Sequence, residues 1–289
     1  MGRRFGDRRD AVRVRDVGGL QKIMVCLKPL RADSDVYIAQ TFDVTRLVRY
    51  MADRKAADPH LTYFHAFSCA LGKLLYARPL LNRYVLARRF YDRAEASLGF
   101  VAKVQFADDA KENVSLVRLA PSDTLDDVKA TLAAKVATVR AEQDNSTDAT
   151  IGMIGKLPQW LVNVVVWVLK QCDVHDWLPA SMIDDDIYHA SIIVSNLGSI
   201  GCGAIYHNLT DFGTSSILVT IGPIRRETTV AEDGSHSTRD VCDFGITCDE
   251  RIADGFYFAQ SVGLLGYILD HPELLDRPLG ERIAAAPVG

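Results

Sequence analysis

Two short runs in this 289-residue chain place polar, reactive side chains where the surrounding sequence is apolar. They are Val194-Ser195-Asn196-Leu197-Gly198 and Asp249-Glu250-Arg251-Ile252-Ala253-Asp254-Gly255. Burial can raise a carboxylate such as Glu250 by ~3–5 pKa units, into the range where it takes protons near neutrality. Arg251 would oppose this if its guanidinium points at Glu250, and Asp249 would favour it. Ser195, taken alone, is a hydroxyl at a strand end. His207, in Tyr206-His207-Asn208-Leu209-Thr210, could stand in as a base; taken alone it reads as a surface or interface histidine. His60, His175, His189, His236 and His271 have weaker claims, and His65 reads as packing inside an apolar helix pattern. The six cysteines form no C-x-x-C pair, so reduced thiols and no metal site are expected.

These residues need elements to hold them. Strand-like runs cover Val36 to Phe42, Ser97 to Phe106, Val114 to Leu119, Ser191 to Ser195 and Ser216 to Ile221. Val44, Leu47, Val48 and Met51 recur at helical spacing behind Asp43, a candidate N-cap. Phe64, Phe67, Leu71, Leu74 and Leu75 do the same up to Pro79. Thr124 and Asp127 form a capping-box-like start to a helix through Val128, Leu132, Val136 and Val139. Asp233-Gly234 reads as the turn of a short hairpin. The irregular interleaving predicts an α/β fold, a two-layer mixed-sheet sandwich.

At 48% hydrophobic residues the chain can bury a large core. A net charge of −4 argues against nucleic acid as a partner. Arginines crowd the first fifteen residues, so 1–20 is expected to be a basic arm, solvated or touching another subunit, ahead of one domain over 21–289. No signal-peptide pattern is present, which with the reduced cysteines predicts a cytoplasmic protein.

The motifs, in order, are Phe42-Asp43-Val44-Thr45, Leu61-Thr62, Arg78-Pro79-Leu80-Leu81-Asn82, Gly99-Phe100-Val101-Ala102, the Ser195 run, Ile217-Leu218-Val219-Thr220-Ile221-Gly222 and the Glu250 run. Together they resemble the chloramphenicol acetyltransferase and dihydrolipoamide acyltransferase superfamily from about Ile23 to Leu275. The resemblance implies a homotrimer with its active site in a channel between subunits, coenzyme A entering one side and a small-molecule acyl acceptor the other. It gives Ser195 the oxyanion, Asp254 the structuring of the loop, and Asn196 and Gly198 the coenzyme A side. The family's D-H-R-x-x-D-G histidine is replaced here by Glu250. Reference pKa values of about 4.3 for Glu and 6.5 for His make proton transfer ~2.2 units harder, about 3 kcal/mol, or on the order of a hundredfold in rate. Only about twenty residues precede the domain and no lipoyl-lysine motif is seen, so the layout resembles that of the stand-alone acetyltransferases, with acyl-CoA as substrate and no lipoyl group. The implied function is CoA-dependent acyl transfer with an altered base; the alternative is a catalytically inactive homologue kept as a trimeric assembly or ligand-binding module.

From about 142 to 188 the chain carries some thirty residues more than the family uses, including all three tryptophans. The run 157–170 is apolar nearly all round and predicts a helix of about three turns, too short for the ~20 residues a bilayer needs. Three readings stay open: a helix buried against the domain or a neighbouring subunit, a hydrophobic lid or acyl-chain groove, or a monotopic membrane contact.

Overall fold

The computed structural model describes residues 4, 6–103, 112–141, 156–230 and 233–283. The nine-residue strand β2 (Asp35–Asp43) forms one edge of a six-stranded mixed sheet. Its order is β2, β9 (His236–Asp249), β8 (Ile217–Val230), β7 (Ile192–Asn196), β5 (Ala96–Lys103) and β6 (Glu112–Leu119). β7 runs parallel to both β5 and β8, while the outer pairs are antiparallel. A second, three-stranded sheet joins β1 (Ala11–Arg13), β4 (Arg89–Arg93) and β3 (Arg83–Leu86).

One face of the large sheet is covered by α2 (Thr45–Ala57), α3 (Tyr63–Ala77), α4 (Leu125–Ala141) and a late helix over 255–270. Side chains alternate across a strand. Ile192 and Val194 of β7, Val219 and Ile221 of β8, and Phe244 and Ile246 of β9 therefore all enter this core. The opposite face carries only a small cluster of Ile187, Ile193, Leu209 and Leu218, beneath an irregular strap over 202–213. This is the two-layer arrangement that the interleaved pattern predicts.

Local details depart from expectation in three places. Asp43 does not cap α2; the cap position is Val44, and the Asp43 carboxylate accepts from the Thr45 N–H at 2.9 Å. His65 does more than pack. Its Nδ1 accepts from the Thr62 N–H while Thr62 Oγ1 accepts from the His65 N–H, closing a capping box on α3 with histidine at the reaching-back position. The Asp233-Gly234 turn is present, Gly234 taking φ +78°, but it tips a hairpin whose strands are each fourteen residues long rather than short.

The arginine-rich start is not a free arm over its described part. β1 pairs with β4, and Arg8 is buried against the inserted segment. That segment contains α5 (Gln159–Val174) and the short α6 (Ala180–Ile183); its residues 142–155 lie outside the described residues. Arg8 donates to both the backbone and the carboxylate of Asp173, and Arg9 to the Asp176 carboxylate and Leu178 O. The late helix is α7 (Gly255–Asp270). α5 is helical as expected, but it is not buried in the protomer: Trp160 is 67% and Trp167 62% exposed, with Val164 and Val168 on the same stripe. No described helix is long and apolar enough to cross a membrane.

The strap crosses the sheet at Gly245. A Cβ there would stand 2.2 Å from Ile205 O, so the close approach requires glycine. Thr220 Oγ1 donates to Ile205 O and accepts from the Ile205 N–H at 3.1 Å, pinning the same residue from beneath. Gly245→Ala is expected to push the strap off the sheet and destabilise the fold by about 1–3 kcal/mol, read by chemical denaturation. Unchanged stability would show that the strap is not held there.

Candidate active site

Ser195 lies near the C-terminal end of β7, opposite Thr220 of β8, on the strap face of the sheet. The chain then enters a 3-10 turn, Leu197–Ile200, which packs so closely on β8 that a Cβ on Gly198 would lie 2.6 Å from Gly222 O. Asn196 begins this turn, and its carbonyl accepts from Ser199 Oγ at 2.7 Å. Ser195, Asn196 and Gly198 therefore form one rigid corner.

Glu250 stands at another corner. It follows Asp249, the last residue of β9, whose N–H donates to Ser216 O at 2.9 Å. The register places Glu250 beside the entry to β8 and Ser195 further along it. About five residues at ~3.3 Å and two strand spacings of ~4.8 Å separate them, on the order of 15–20 Å. A general base must lie within ~2.6–3.2 Å of the proton it takes, or one water away. One protomer does not bring Ser195 and Glu250 together.

The turn carrying Glu250 is tightly held. Arg251 donates to both Asp249 oxygens, at 2.8 and 2.7 Å, and to Lys28 O and Pro29 O at 3.0 and 3.1 Å. The guanidinium thus points at Asp249 and away from Glu250, which answers the question left open by sequence. Arg31 also approaches Asp249, 3.9 Å away, and donates to Thr210 O and Gly213 O. Burial pushes the Arg31 guanidinium below its ordinary range, with Asp249 working against that and Arg251 with it. The Glu250 N–H donates to Ser34 O, and its carboxylate accepts from the Lys28 ammonium at the end of α1 (Gly19–Leu27). Lys28 escaped the sequence reading because 222 positions separate it from Glu250 and no local pattern links them.

Asp254 caps α7, its carboxylate accepting from the Tyr257 N–H at 2.7 Å. His207 sits on the exposed side of the strap, its Nδ1 2.8 Å from Asn208 O. The strap is pinned at Ile205 near the level of Ser195 and at Leu209, whose N–H donates to Asp35, near the level of Glu250. His207 is thus between the two corners and touches neither. Beside Gly255, an open cleft of about 540 Å³ separates the unpaired edge of β2 from α7, lined by Val36, Ile38, Phe42, Phe258 and the small Ala259 and Gly263.

Residues 180–276, about a third of the chain, match the model of the 2-oxoacid dehydrogenases acyltransferase catalytic domain. Both corners fall inside that span. The structure superposes on a probable dihydrolipoamide acetyltransferase from Listeria monocytogenes with TM-score 0.58 and 16% identity, over 92% of this chain and 95% of the other. The fold is that of a dihydrolipoamide acyltransferase catalytic domain. The Azotobacter vinelandii dihydrolipoamide acetyltransferase, studied for the role of a serine, a histidine and an asparagine in its mechanism, gives TM-score 0.55 at 15% identity, over 91% and 93%. A truncated catalytic core of the 2-oxoacid dehydrogenase complex from Thermoplasma acidophilum gives 0.56 at 17%, over 90% and 98%. No curated protein matches the chain by sequence.

Away from both corners, one histidine of this acyltransferase fold has a built environment. His189 is 5% exposed, with Nδ1 2.6 Å from Asp186 and Nε2 3.2 Å from Asp173. Burial lowers its pKa, but hydrogen bonds to Asp173 and Asp186 and their charges outweigh that and raise it overall. Burial likewise raises Asp173, and the His189 bond, with His189 and Arg8 charge, outweighs it to leave Asp173 lowered. A histidine raised on folding adds stability below its unfolded pKa and loses it as pH rises through the folded value. Asp173 contributes in the other sense, its share being lost only as pH falls through its lowered value. The stability gap between wild type and His189→Asn should therefore be largest near pH 6 and shrink towards alkaline pH in thermal melts. A gap that is flat with pH would contradict the charged pairing.

Proposed function

We propose that this chain is a CoA-dependent acyltransferase whose active site is completed between two copies. The observation that carries the reading is the separation of the two corners: Ser195 and Glu250 flank β8 on either side, about five residues apart along it, within a fold whose solved examples include the cubic core of the pyruvate dehydrogenase multienzyme complex. In a homotrimer, Ser195 of one protomer faces Glu250 of its neighbour. Ser195 donates to the oxyanion of the tetrahedral intermediate, Glu250 takes the acceptor's proton, and Asp254 fixes the turn through its cap on α7. Asn196 and Gly198 form the coenzyme A side. The open edge of β2, next to Glu250, is surface that such an assembly has reason to cover.

One observation favours a second reading, an inactive homologue. The Lys28 ammonium occupies a Glu250 oxygen, the atom that would take the proton.

Light scattering should give three times the protomer mass of 31.9 kDa. Glu250→Gln should abolish acyl transfer from acetyl-CoA while coenzyme A binding stays near normal. Glu250→His should retain activity with its optimum moved towards the histidine range. A stable monomer would sink the shared site. Inert wild type towards thiol, amine and hydroxyl acceptors would establish the second reading, and activity indifferent to Glu250→Gln but lost in His207→Ala would move the base to the strap.

A further inference from the structure

We propose that Lys28 is a catalytic residue of this transfer, supplying the cation that stabilises an attacking thiolate. The inference rests on the acyltransferase reading above. Its observations are the contact between the Lys28 ammonium and Glu250 and the partial exposure of both side chains, 35% and 32%. Among the described residues no other side-chain partner is recorded for that ammonium, so it has N–H groups to offer a ligand.

The pair is not a meeting of two loose surface chains. Lys28 O and Pro29 O are fixed by Arg251, which is locked on Asp249, and the Glu250 N–H is fixed by Ser34 O. The buried guanidinium thus ties the Lys28 backbone to Asp249, the residue just before Glu250. An ion pair this exposed contributes little to stability. Its geometry is that of a charge held at the edge of an open turn.

The chemistry explains why a cation belongs there. A carboxylate facing a thiol meets a mismatch of about four units between reference values of ~4.3 and ~8.5. A lysine beside a thiol lowers the thiol, in proteins to values between about 3.5 and 7.5. The mismatch is then closed on the ligand's side. The acceptor's S–H proton passes to a Glu250 oxygen, and the ammonium exchanges the carboxylate for the thiolate, so the net charge of the group is unchanged. The thiolate forms a C–S bond at the acyl carbonyl, and collapse of the intermediate breaks the C–S bond to coenzyme A. The departing coenzyme A sulfur takes the proton back from Glu250, and the pair re-forms. A hydroxyl acceptor, with water itself ionising near ~15.7, is beyond what one cation can bring into reach. The dyad is thus matched to thiols.

In the reverse transfer coenzyme A is itself the attacking thiol and gives its proton to Glu250, so the test uses the intact protein with coenzyme A bound and follows alkylation of its thiol by iodoacetamide against pH. The midpoint for bound coenzyme A should lie at least about one unit below that of the free compound. Lys28→Met should return it to the free value and lower transfer from acetyl-CoA to dithiothreitol at pH 7 about tenfold or more, whereas Lys28→Arg should keep the low midpoint. A midpoint unmoved by Lys28→Met, or one lost equally in Lys28→Arg, overturns the proposal. Calorimetry separates the two levels of argument. If coenzyme A does not bind the wild type, the acyltransferase reading falls and Lys28's role with it. If coenzyme A binds and is turned over while Lys28→Met leaves the midpoint in place, only the role of Lys28 falls.

Discussion

Arg251 is the residue on which the geometry around Glu250 depends. Its guanidinium, 5% exposed, reads the Asp249 carboxylate with two N–H groups and ties two backbone carbonyls from the segment after α1 with another. Asp249 is fully buried and lies between Arg251 and Arg31, which in turn bonds to the foot of the strap. Three distant stretches of chain, 28–34, 210–213 and 249–251, meet on this one charge cluster. Buried ion pairs are costly to assemble and costlier to break, since losing one member strands the other and costs about 3–5 kcal/mol. The turn that carries Glu250 inherits its position from that penalty.

The same principle organises a second cluster, next to the foot of the strap, where the His189 ring stands against Phe212 and Phe212 O accepts from Arg31. Arg8, Asp173, His189 and Asp186 form a second, largely buried polar chain, joining the segment ahead of β1, the end of α5 and the 3-10 turn before β7. An insertion that packs few apolar residues on the body is held at its base by charge. The tips of α5 remain exposed, so its anchoring and its apolar surface serve different ends.

How legible all this was in the sequence depended on range. Alternating and helical patterns are local, and they placed β2, β6, β7, α3 and α4 within about two residues of their bounds; the run for β5 extended to Phe106, past Lys103, and the one over Val44 to Met51 covered only the first part of α2. β9 and the part of β8 beyond Ile221 were not read as strands; Ser237, Thr238 and Arg239 at the far end of the hairpin are exposed, which leaves no apolar alternation to read there. The arginines ahead of the first strand looked like a solvated arm, since nothing in their neighbourhood announces Asp173, 165 positions from Arg8. Ser195, Glu250 and Asp254 were singled out through motif order, and the structure adds what order cannot carry: the separation of Ser195 from Glu250. Lys28 and Arg31 were found only when the chain folded back on itself. The helix over 157–170 was legible as a helix, but its burial was not, because a hydrophobic pattern states that a surface wants covering without saying that the same chain covers it.

That placement of the tryptophans has an optical consequence. Trp160, Trp167 and Trp177 are the whole tryptophan complement of the chain, and at 67%, 62% and 70% exposure none is part of the core. The indole emission of the protein is therefore a report from the insertion alone. Melting of the sheet and its helices would pass almost silently in that signal, while contact of α5 with any surface would shift it to the blue with the fold unchanged.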